Sequence, residues 1–397
     1  MRQSNSNIKI LSLFSLLYSG GNFKSNASAL SVIDWPEMTT FIMEKGLAGH
    51  FYSILYQNPT AAALIPADTM ERLKTAARRV AAHNVFYETQ CAAILKDLSA
   101  AGIESILLKG FSYMRDIYGD TSSRSMSDID LLVRPADRIR AHEYLIDNGF
   151  SLCVIPSFRG SREDFLRLTD IIGETHYMKQ TGALTASVDL HWKMRAEFPM
   201  NNYMDLDKFP WWKNATTVDI GDAQARRLVP EMQFIHLALH FAIRHHYWGL
   251  RWFVELFLFL KTFGEKLDWD FVYQTTSSSD CRKLLGVCLR LVKDYLGDAC
   301  PASAEWQKFL PVRSLLPGEY SFYKSYLARD KKSRLAEYLC MPLSPATITG
   351  RLKMIYYFLF DAQGVVFWQG AETRVPKMLH PFYVLYIVAR QLLRRRN

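Results

Sequence analysis

Short apolar blocks separated by polar turns run from residue 103 to residue 192, and this pattern differs from the chain on either side. Within the blocks, side chains are apolar for a few residues or alternate between apolar and polar, as in buried and half-buried strands. The predicted strands cover residues 103–108, 128–133, 150–155, 174–179 and 185–192. A helix is predicted after Gly110, and another from Pro135 to Asn148. The middle of the chain is therefore predicted to form a mixed α/β core.

Both flanks of this core show the helical spacing of apolar residues. In the N-terminal flank a long helix is predicted over residues 70–101, and Gly102 follows it as a C-terminal cap. In the C-terminal flank, apolar helices are predicted over residues 231–244 and 250–263. The predicted fold class is α+β. The predicted regions are an N-terminal helical region (1–102), the mixed core (103–195) and a C-terminal mainly helical domain (196–397).

The polar residues of the second predicted strand are two aspartates. Side chains alternate along a strand, so Asp128 and Asp130 lie on one face, and Ile129 and Leu131 on the other. Neighbouring carboxylates repel each other and are costly to bury unless a cation joins them. Oxygen ligands of this kind suit Mg²⁺ bound to substrate phosphates.

The last two predicted strands are joined by a hairpin signal, Gln-Thr-Gly at 180–182. In the second of them, Asp189 and His191 share a face. A loop over residues 181–184 would place His176 opposite Asp189, whereas a shorter loop would shift the pairing. Asp189 is the candidate third carboxylate.

The whole stretch resembles the nucleotidyltransferase superfamily typified by polymerase beta. In that superfamily a strand ends in a glycine-containing turn, a helix follows, and the next strand carries Asp-x-Asp. More narrowly, the chain is similar to a bacterial family of largely uncharacterised nucleotidyltransferases. The shared motifs are Leu-Lys-Gly at 108–110, Arg at 124, Asp-Ile-Asp-Leu-Leu-Val at 128–133, Asp-Leu-His-Trp at 189–192 and Leu-Arg-Trp at 250–252. The resemblance implies a nucleotidyltransferase-type core.

The resemblance also implies a reaction, in which a nucleoside monophosphate moves from an NTP to an acceptor and pyrophosphate is released. Asp128 and Asp130 would bind Mg²⁺, and Asp189 would bind a second Mg²⁺ and take the proton of the acceptor hydroxyl. His176 and His191 are candidates for the acceptor side. No motif distinguishes ATP, GTP, CTP and UTP, or names the acceptor, which would be a small molecule or a protein.

The candidate nucleotide contacts lie on either side of the predicted helix. They are Lys109, Gly110, Ser112, Arg124 and Ser127. Gly110 would let the backbone approach the triphosphate, and Lys109 and Arg124 carry the required charge, although ordinary surface charge is an alternative for both. The superfamily prefers Ser or Gly after the glycine, where this chain has Phe111. Seventeen residues separate Gly110 from Asp128, more than is usual there.

Composition narrows the function only slightly. The chain has 397 residues, of which 22% are charged and 49% apolar, as in an ordinary globular protein with two or three subdomains. A net charge of +9 favours anionic partners, or is the surface charge of a basic protein. The six cysteines form no C-x-x-C pair, so structural zinc is not indicated and reduced thiols in the cytoplasm are expected.

No transmembrane segment is expected, because no apolar run reaches the ~18 residues that a span needs. Residues 8–18 fit either a signal-peptide core, with a cleavage site at 27–29, or a first amphipathic helix. Near the other end, Arg394, Arg395 and Arg396 could contact an acidic membrane surface weakly, or form a solvated helix end.

Other functions compete with transfer. The alternative is a catalytically inactive nucleotide-binding module with the same fold; the intact Asp128, Asp130 and Asp189 argue against it, and the altered glycine turn argues for it. Nucleic-acid binding ranks last, because no interleaving of basic and aromatic residues is present. His236 and His240 have a spacing compatible with metal binding, but packed, hydrogen-bonded histidines are the favoured interpretation.

Overall fold

The fold is an α+β assembly of helices around one large mixed sheet, as the sequence predicts. The computed structural model describes residues 6–18, 30, 32–153, 166, 173–194, 203–297, 305–310, 314–359, 365–368, 371–374, 381–382 and 386. The predicted contact of Arg394, Arg395 and Arg396 lies outside the described residues.

Helices account for most of the described chain. They are α1 (Ser6–Tyr18), α2 (Trp35–Glu44), α3 (Ala48–Gln57), α4 (Pro59–Ala62), α5 (Ala67–Ala100), α6 (Gly110–Tyr118), α7 (Arg138–Asp147), α8 (Pro230–Leu239), α9 (Leu250–Phe263), α10 (Trp269–Thr275), α11 (Ser279–Leu296), α12 (Glu319–Leu327), α13 (Arg334–Leu343) and α14 (Ile348–Leu359). Local chemistry sets several helix starts. Pro230 occupies the first turn of α8, and the Ser278 hydroxyl accepts from the Cys281 amide at 3.2 Å to cap α11.

Strands from three separate parts of the chain join in the large sheet. The strands are β1 (Ser105–Leu107), β2 (Ile129–Val133), β3 (Ser151–Leu152), β4 (Glu174–Thr181), β5 (Leu184–His191), β6 (Ala215–Ile220), β7 (Ala223–Leu228) and, in a separate hairpin, β8 (Val365–Trp368) and β9 (Ala371–Arg374). The order in the large sheet is β3-β4-β5-β2-β1-β7-β6. The pairs β2 with β5 and β1 with β7 are parallel, and the other pairs are antiparallel.

The hairpin of β4 and β5 has the register that the longer predicted loop implied. Thr181 pairs with Leu184, and His176 therefore lies opposite Asp189. Gly182 has a φ of 62°, in the left-handed region that favours glycine, as the primed two-residue hairpin turns require. The predicted pairing of His176 with Asp189 is confirmed.

The hairpin of β6 and β7 is the largest element that the sequence analysis missed. Its Gly-Asp turn at 221–222 is a usable signal, but Thr, Asp, Gln and Arg dilute the alternation of apolar residues in both strands. Only Ile220, Ala223, Ala225 and Leu228 are buried. The sheet thus continues beyond residue 195, inside a region that was predicted as mainly helical. The division of the chain at residues 102 and 195 stays a prediction.

The C-terminal helices pack onto the sheet through two neighbouring helices. Helix α9 packs against both α6 and α8, and α8 also packs against α10 and α11. The predicted helix over 231–244 is α-helical only to Leu239, and His240–Arg244 continue it as a π-helix. Helix α1 packs on α11 and buries Ile10 and Phe14. Among the described residues, no helix combines the length and apolar character needed to cross a membrane.

A buried histidine between α1 and α3 makes the stability of the fold pH-dependent. The His50 Nε2 lies 2.8 Å from the Tyr18 hydroxyl, and burial lowers the pKa of His50 to about 3. An unfolded chain keeps a histidine pKa of about 6.5, so between these values the unfolded state binds a proton that the folded state does not. The free energy of unfolding should therefore fall as pH falls, by about 1.4 kcal/mol per pH unit from this group.

We expect His50→Gln to reduce this acid sensitivity. Urea unfolding at a series of pH values from neutral to acidic gives the free energy of unfolding as a function of pH. This free energy should fall with decreasing pH more steeply in the wild type than in the variant, by about 1.4 kcal/mol per pH unit. Parallel slopes in the two proteins would show that His50 does not carry the effect.

Candidate active site

A cavity of about 240 Å³ lies between strands β2, β4 and β5 and helices α8 and α9. Its volume is slightly below the ~300–1,000 Å³ that is usual for small-molecule sites. On the sheet side it is lined by four carboxylates, Asp128, Asp130, Glu174 and Asp189. This concentration of acidic groups in a concave site makes it the leading candidate for function.

The parallel pairing of β2 with β5 brings the predicted carboxylates together. Asp130 lies directly beside Asp189 in the register of the two strands, although the two are 59 positions apart in sequence. On the opposite face of β2, Ile129 and Leu131 are buried in the core. Asp128 precedes β2 by one residue and lines the same cavity. The structure therefore collects Asp128, Asp130 and Asp189 in one place.

Asp130 is buried between two cations. Its Oδ1 lies 2.6 Å from the Lys109 Nζ and 3.1 Å from the His191 Nε2, and its side chain is 5% exposed. Burial alone would raise the pKa of Asp130, but the charges and hydrogen bonds of Lys109 and His191 hold it well below its ordinary value. Asp130 is therefore ionised throughout the physiological range.

His191 links this carboxylate to a second one. Its Nδ1 lies 2.8 Å from Glu174, which pairs with it across the hairpin. Burial would lower the pKa of His191, yet Glu174 and Asp130 raise it to about 9. The same contact counters the effect of burial on Glu174 and lowers its pKa to about 2. Lys109, Asp130, His191 and Glu174 thus form a line of alternating charges.

Asp189 and His176 form a more open pair at the side of this line. The His176 Nδ1 lies 2.5 Å from the Asp189 Oδ1, and the two side chains are 38% and 27% exposed. The hydrogen bond to Asp189 raises the pKa of His176. Both side chains are therefore partly accessible, whereas those of Asp130 and His191 are enclosed.

Asp128 experiences the excess of negative charge at the site. Its pKa is raised by burial, by Asp130 and by Asp189, while the Ser127 hydroxyl donates a hydrogen bond to it at 3.1 Å. A carboxylate with a raised pKa among other carboxylates marks a place where an additional cation would be stabilising.

The donor set of the cavity fits a divalent cation. Asp130, Asp189 and His191 each offer one ligand atom, and these atoms lie within 4.8 Å of one another. The sequence analysis instead predicted Asp128 as the third ligand and His191 on the acceptor side. Because its carboxylate neighbours keep His191 protonated, it must lose a proton before it can bind a metal, and the carboxylates are the more favourable ligands. The assignment of ligands stays a prediction.

The predicted nucleotide contacts divide into two groups. Lys109 and Arg124 line the cavity, whereas Gly110, Ser112 and Ser127 do not contribute to its lining. Gly110 begins α6 in a packed position, where an added Cβ would lie 2.1 Å from the Met126 Cε. The Ser112 hydroxyl donates to the Lys109 carbonyl. The glycine here permits close packing, and its approach to a triphosphate stays a prediction.

Lys109 adopts an uncommon backbone conformation at this turn. Its φ is 46°, in the left-handed region, although it is not a glycine. Such residues persist where surrounding structure fixes them, and they cluster at functional sites. The ion pair with Asp130 is one such constraint.

Buried polar contacts hold the loop before Asp128 in place. The long spacing between Gly110 and Asp128 is therefore taken up by an ordered loop. Asn84 of α5 donates to the carbonyls of Thr121 and Arg124, each at 2.6 Å, and its side-chain oxygen accepts from the Met126 amide at 3.0 Å. The Arg124 Nε donates to Glu255 of α9 at 3.0 Å, and both side chains are 4% exposed. Arg124 is thus neither surface charge nor an uncommitted cation.

Sequence reasoning missed several of these residues for different reasons. Glu174 had a usable signal, because the register that pairs His176 with Asp189 also pairs Glu174 with His191. Asn84 and Glu255 lie on distant helices, and nothing local in the sequence relates them to the loop. The helix side of the cavity, which contains several histidines and tryptophans, was also not assigned.

Comparison with known proteins agrees with this architecture. A sequence profile of the family described as "Uncharacterised nucleotidyltransferase" matches residues 31–297. The matched region includes the large sheet, all the residues of the cavity and helices α2 to α11. A search of curated proteins found no match.

Proposed function

The chain belongs to this family of uncharacterised nucleotidyltransferases, and we propose that it is a Mg²⁺-dependent enzyme. It would transfer a nucleoside monophosphate from an NTP to a hydroxyl group of a small molecule or a protein. The observation that carries the proposal is the placement of Asp130 beside Asp189, with Asp128 lining the same cavity.

In the proposed reaction the acceptor oxygen forms a bond to the α-phosphorus, and the bond between that phosphorus and the bridging oxygen breaks. Pyrophosphate leaves with the electron pair of the broken bond. Asp189 takes the proton of the acceptor hydroxyl, because its carboxylate is ionisable, accessible and beside Asp130. His176, 2.5 Å from Asp189, holds that carboxylate in place on the acceptor side.

Asp128 and Asp130 would hold the metal that accompanies the triphosphate, Asp189 would bind a second ion beside them, and His191 would orient Asp130. When bound, Mg²⁺ would supply positive charge to the attacking and leaving oxygens. Lys109 would contact the phosphates, because it is the cation of the cavity closest to Asp130 on the sheet side. Arg124 would add positive charge from the lining of the cavity. Gly110, Ser112 and Ser127 would shape the turns next to Lys109 and Asp128.

We expect nucleotide binding to depend on the divalent cation. Without it, the carboxylates repel a triphosphate; with Mg²⁺, affinity should rise by about tenfold or more, equivalent to about 1.4 kcal/mol. Titration calorimetry of the full chain with ATP, GTP, CTP and UTP, in Mg²⁺ and in chelator, measures this. Incubation with labelled NTPs and candidate acceptors, followed by mass spectrometry of the adduct, then identifies the acceptor.

A second candidate function has its own supporting observation. The Lys109 ammonium already neutralises Asp130 at 2.6 Å, as a nucleotide-binding module without chemistry could tolerate. In such a module the lysine would serve as the cation for the nucleotide. Equal NTP affinity in Mg²⁺ and in chelator, together with no turnover, would favour this module over the enzyme.

We also propose a reducing, cytoplasmic compartment. Support comes from the cysteines: Cys91, Cys153, Cys281, Cys288 and Cys340 are all free thiols in the described part of the chain.

A further inference from the structure

The helix side of the cavity combines five aromatic rings with Leu239, Ile243 and Arg244, and it contains no carboxylate among its described lining residues. We call the five rings the imidazole–indole wall and define it as Trp211, His236, His240, His245 and Trp252. The His245 and Trp252 rings are stacked, with centroids 4.6 Å apart and planes at 21°. His240 contacts both of these rings, at 4.7 Å and 5.2 Å, and His236 bridges to Trp211 at 6.0 Å.

The imidazoles of the wall are uncharged. Burial lowers the pKa of His236 and of His245 to about 3, and it lowers the pKa of His240 well below its ordinary value. The charge of Lys109 adds to this effect at His236, and the charges of Arg244 and Lys109 add to it at His245. A neutral imidazole offers one hydrogen-bond donor and one acceptor. The wall therefore combines flat aromatic rings with uncharged polar edges.

Polar atoms of the wall are left unsatisfied by the described protein. The Nδ1 of His236 and the Nε2 of His245 have no hydrogen-bond partner among the described residues. His236 is only 8% exposed and lines the cavity. Buried polar atoms without partners are uncommon in folded proteins, and one in the wall of a cavity points to a ligand.

The backbone that carries the wall is also irregular. His240–Arg244 form a π-helix, and the next turn holds His246 and Tyr247 at φ values of 51° and 61°. Short π-helical segments are frequent at functional sites, and non-glycine residues in the left-handed region persist where a site requires them. This irregular segment connects α8 to α9, so it sets the position of His245 relative to Trp252.

We infer that the imidazole–indole wall binds the nucleobase of the NTP, an inference that rests on the proposed function and extends it. A nucleobase is flat, uncharged and edged with donors and acceptors, and it stacks on aromatic side chains. The wall matches each property. Both ends belong to one cavity, because Lys109, Asp130, His236 and His240 all line it. The charged sheet side takes the phosphates, and the uncharged imidazole–indole wall takes the base.

Inorganic triphosphate carries the phosphates of an NTP but no base, so its binding tests the phosphate end of the cavity alone. In Mg²⁺, titration calorimetry on the full wild-type chain should show at least one NTP binding tenfold or more tightly than triphosphate. Trp252→Leu and His236→Phe should each reduce that NTP affinity to near that of triphosphate, while the triphosphate affinity is unchanged. Trp212→Leu is the matched control, because Trp212 stacks on Arg134 instead of lining the cavity, and it should change neither affinity.

The other outcomes overturn the inference in distinguishable ways. If wild-type protein binds triphosphate and every NTP equally well, the phosphate end functions and the wall does not bind a base. If the wall variants melt normally and keep the NTP advantage but raise the KM of an identified acceptor, the wall binds the acceptor. If neither triphosphate nor any NTP binds in Mg²⁺, the proposed function fails and the inference fails with it. The wild-type comparison needs no variant to fold.

Discussion

Replacing Asp130 with asparagine is expected to remove transfer activity and to destabilise the fold. Its carboxylate is the common partner of Lys109 and His191, and all three side chains are largely buried. Asparagine cannot neutralise these cations, and removing one partner of a buried ion pair costs about 3–5 kcal/mol. The same change removes a candidate metal ligand, and loss of one charge-stabilising group lowers kcat by at least ~10²–10³-fold. Turnover per folded molecule and a melting curve on one preparation measure both effects.

Asp128→Asn is the matched control for this prediction. Burial and the neighbouring carboxylates raise the pKa of Asp128, so its ionised form is disfavoured in the folded protein. Asparagine removes that repulsion, and the variant should melt at the same temperature as wild type or higher while losing turnover. Wild-type turnover in folded Asp130→Asn would remove Asp130 from the catalytic set, and an unchanged melting temperature would contradict its role as the buried counter-ion.

Short-range pattern was sufficient for much of the sheet side of the site. Alternation along one strand places Asp128 and Asp130 on the face opposite Ile129, and a hairpin signal places His176 opposite Asp189. These predictions succeeded because strand periodicity and turn length fix the direction of side chains locally. The family resemblance supplied the order of the motifs and was confirmed by the profile match.

Ion pairs between residues that are far apart in sequence could not be predicted from short-range pattern. In the sequence, Arg124 has no nearby acidic partner that the local pattern would assign to it. The packing of α9 against α6 brings Glu255, 131 positions away, into contact with it. Lys109 likewise has no local reason to pair with Asp130 until β1 and β2 lie side by side. Such pairs depend on which elements are neighbours in space, which periodicity within one element does not encode.

The helix side of the cavity shows a second limit of local sequence patterns. His236 and His240 were interpreted as packed, hydrogen-bonded histidines. Their rings do pack, yet the His236 Nδ1 has no hydrogen-bond partner among the described residues, and both side chains line the cavity. A helical apolar pattern indicates burial, and it does not distinguish a side chain in the core from one in the wall of a deep cavity. Only the position of α8 relative to β2 and β5 separates these cases.

Replacing Asp189 with asparagine is expected to lower kcat by ~10²–10⁴-fold while changing the KM for NTP much less. The physical reason is a division of labour among the carboxylates. Asp128 and Asp130 remain to accompany the triphosphate, whereas Asp189 is accessible beside His176 and acts on the acceptor hydroxyl. Steady-state kinetics with the identified acceptor, combined with calorimetry for Mg²⁺-NTP, measures the two effects separately.

His176→Gln tests whether the pair acts as a unit. The proposed role of His176 is to hold Asp189 in place, so its loss should cost less, ~10–100-fold in kcat. The double variant should then be no slower than Asp189→Asn alone, because removing the positioning residue has no further effect once the base is gone. The competing explanation is that the pair, 2.5 Å apart across the hairpin, only stabilises β4 on β5. In that case both single variants would have a lower melting temperature than wild type and a normal kcat per folded molecule. Asp189 would then not be a catalytic residue.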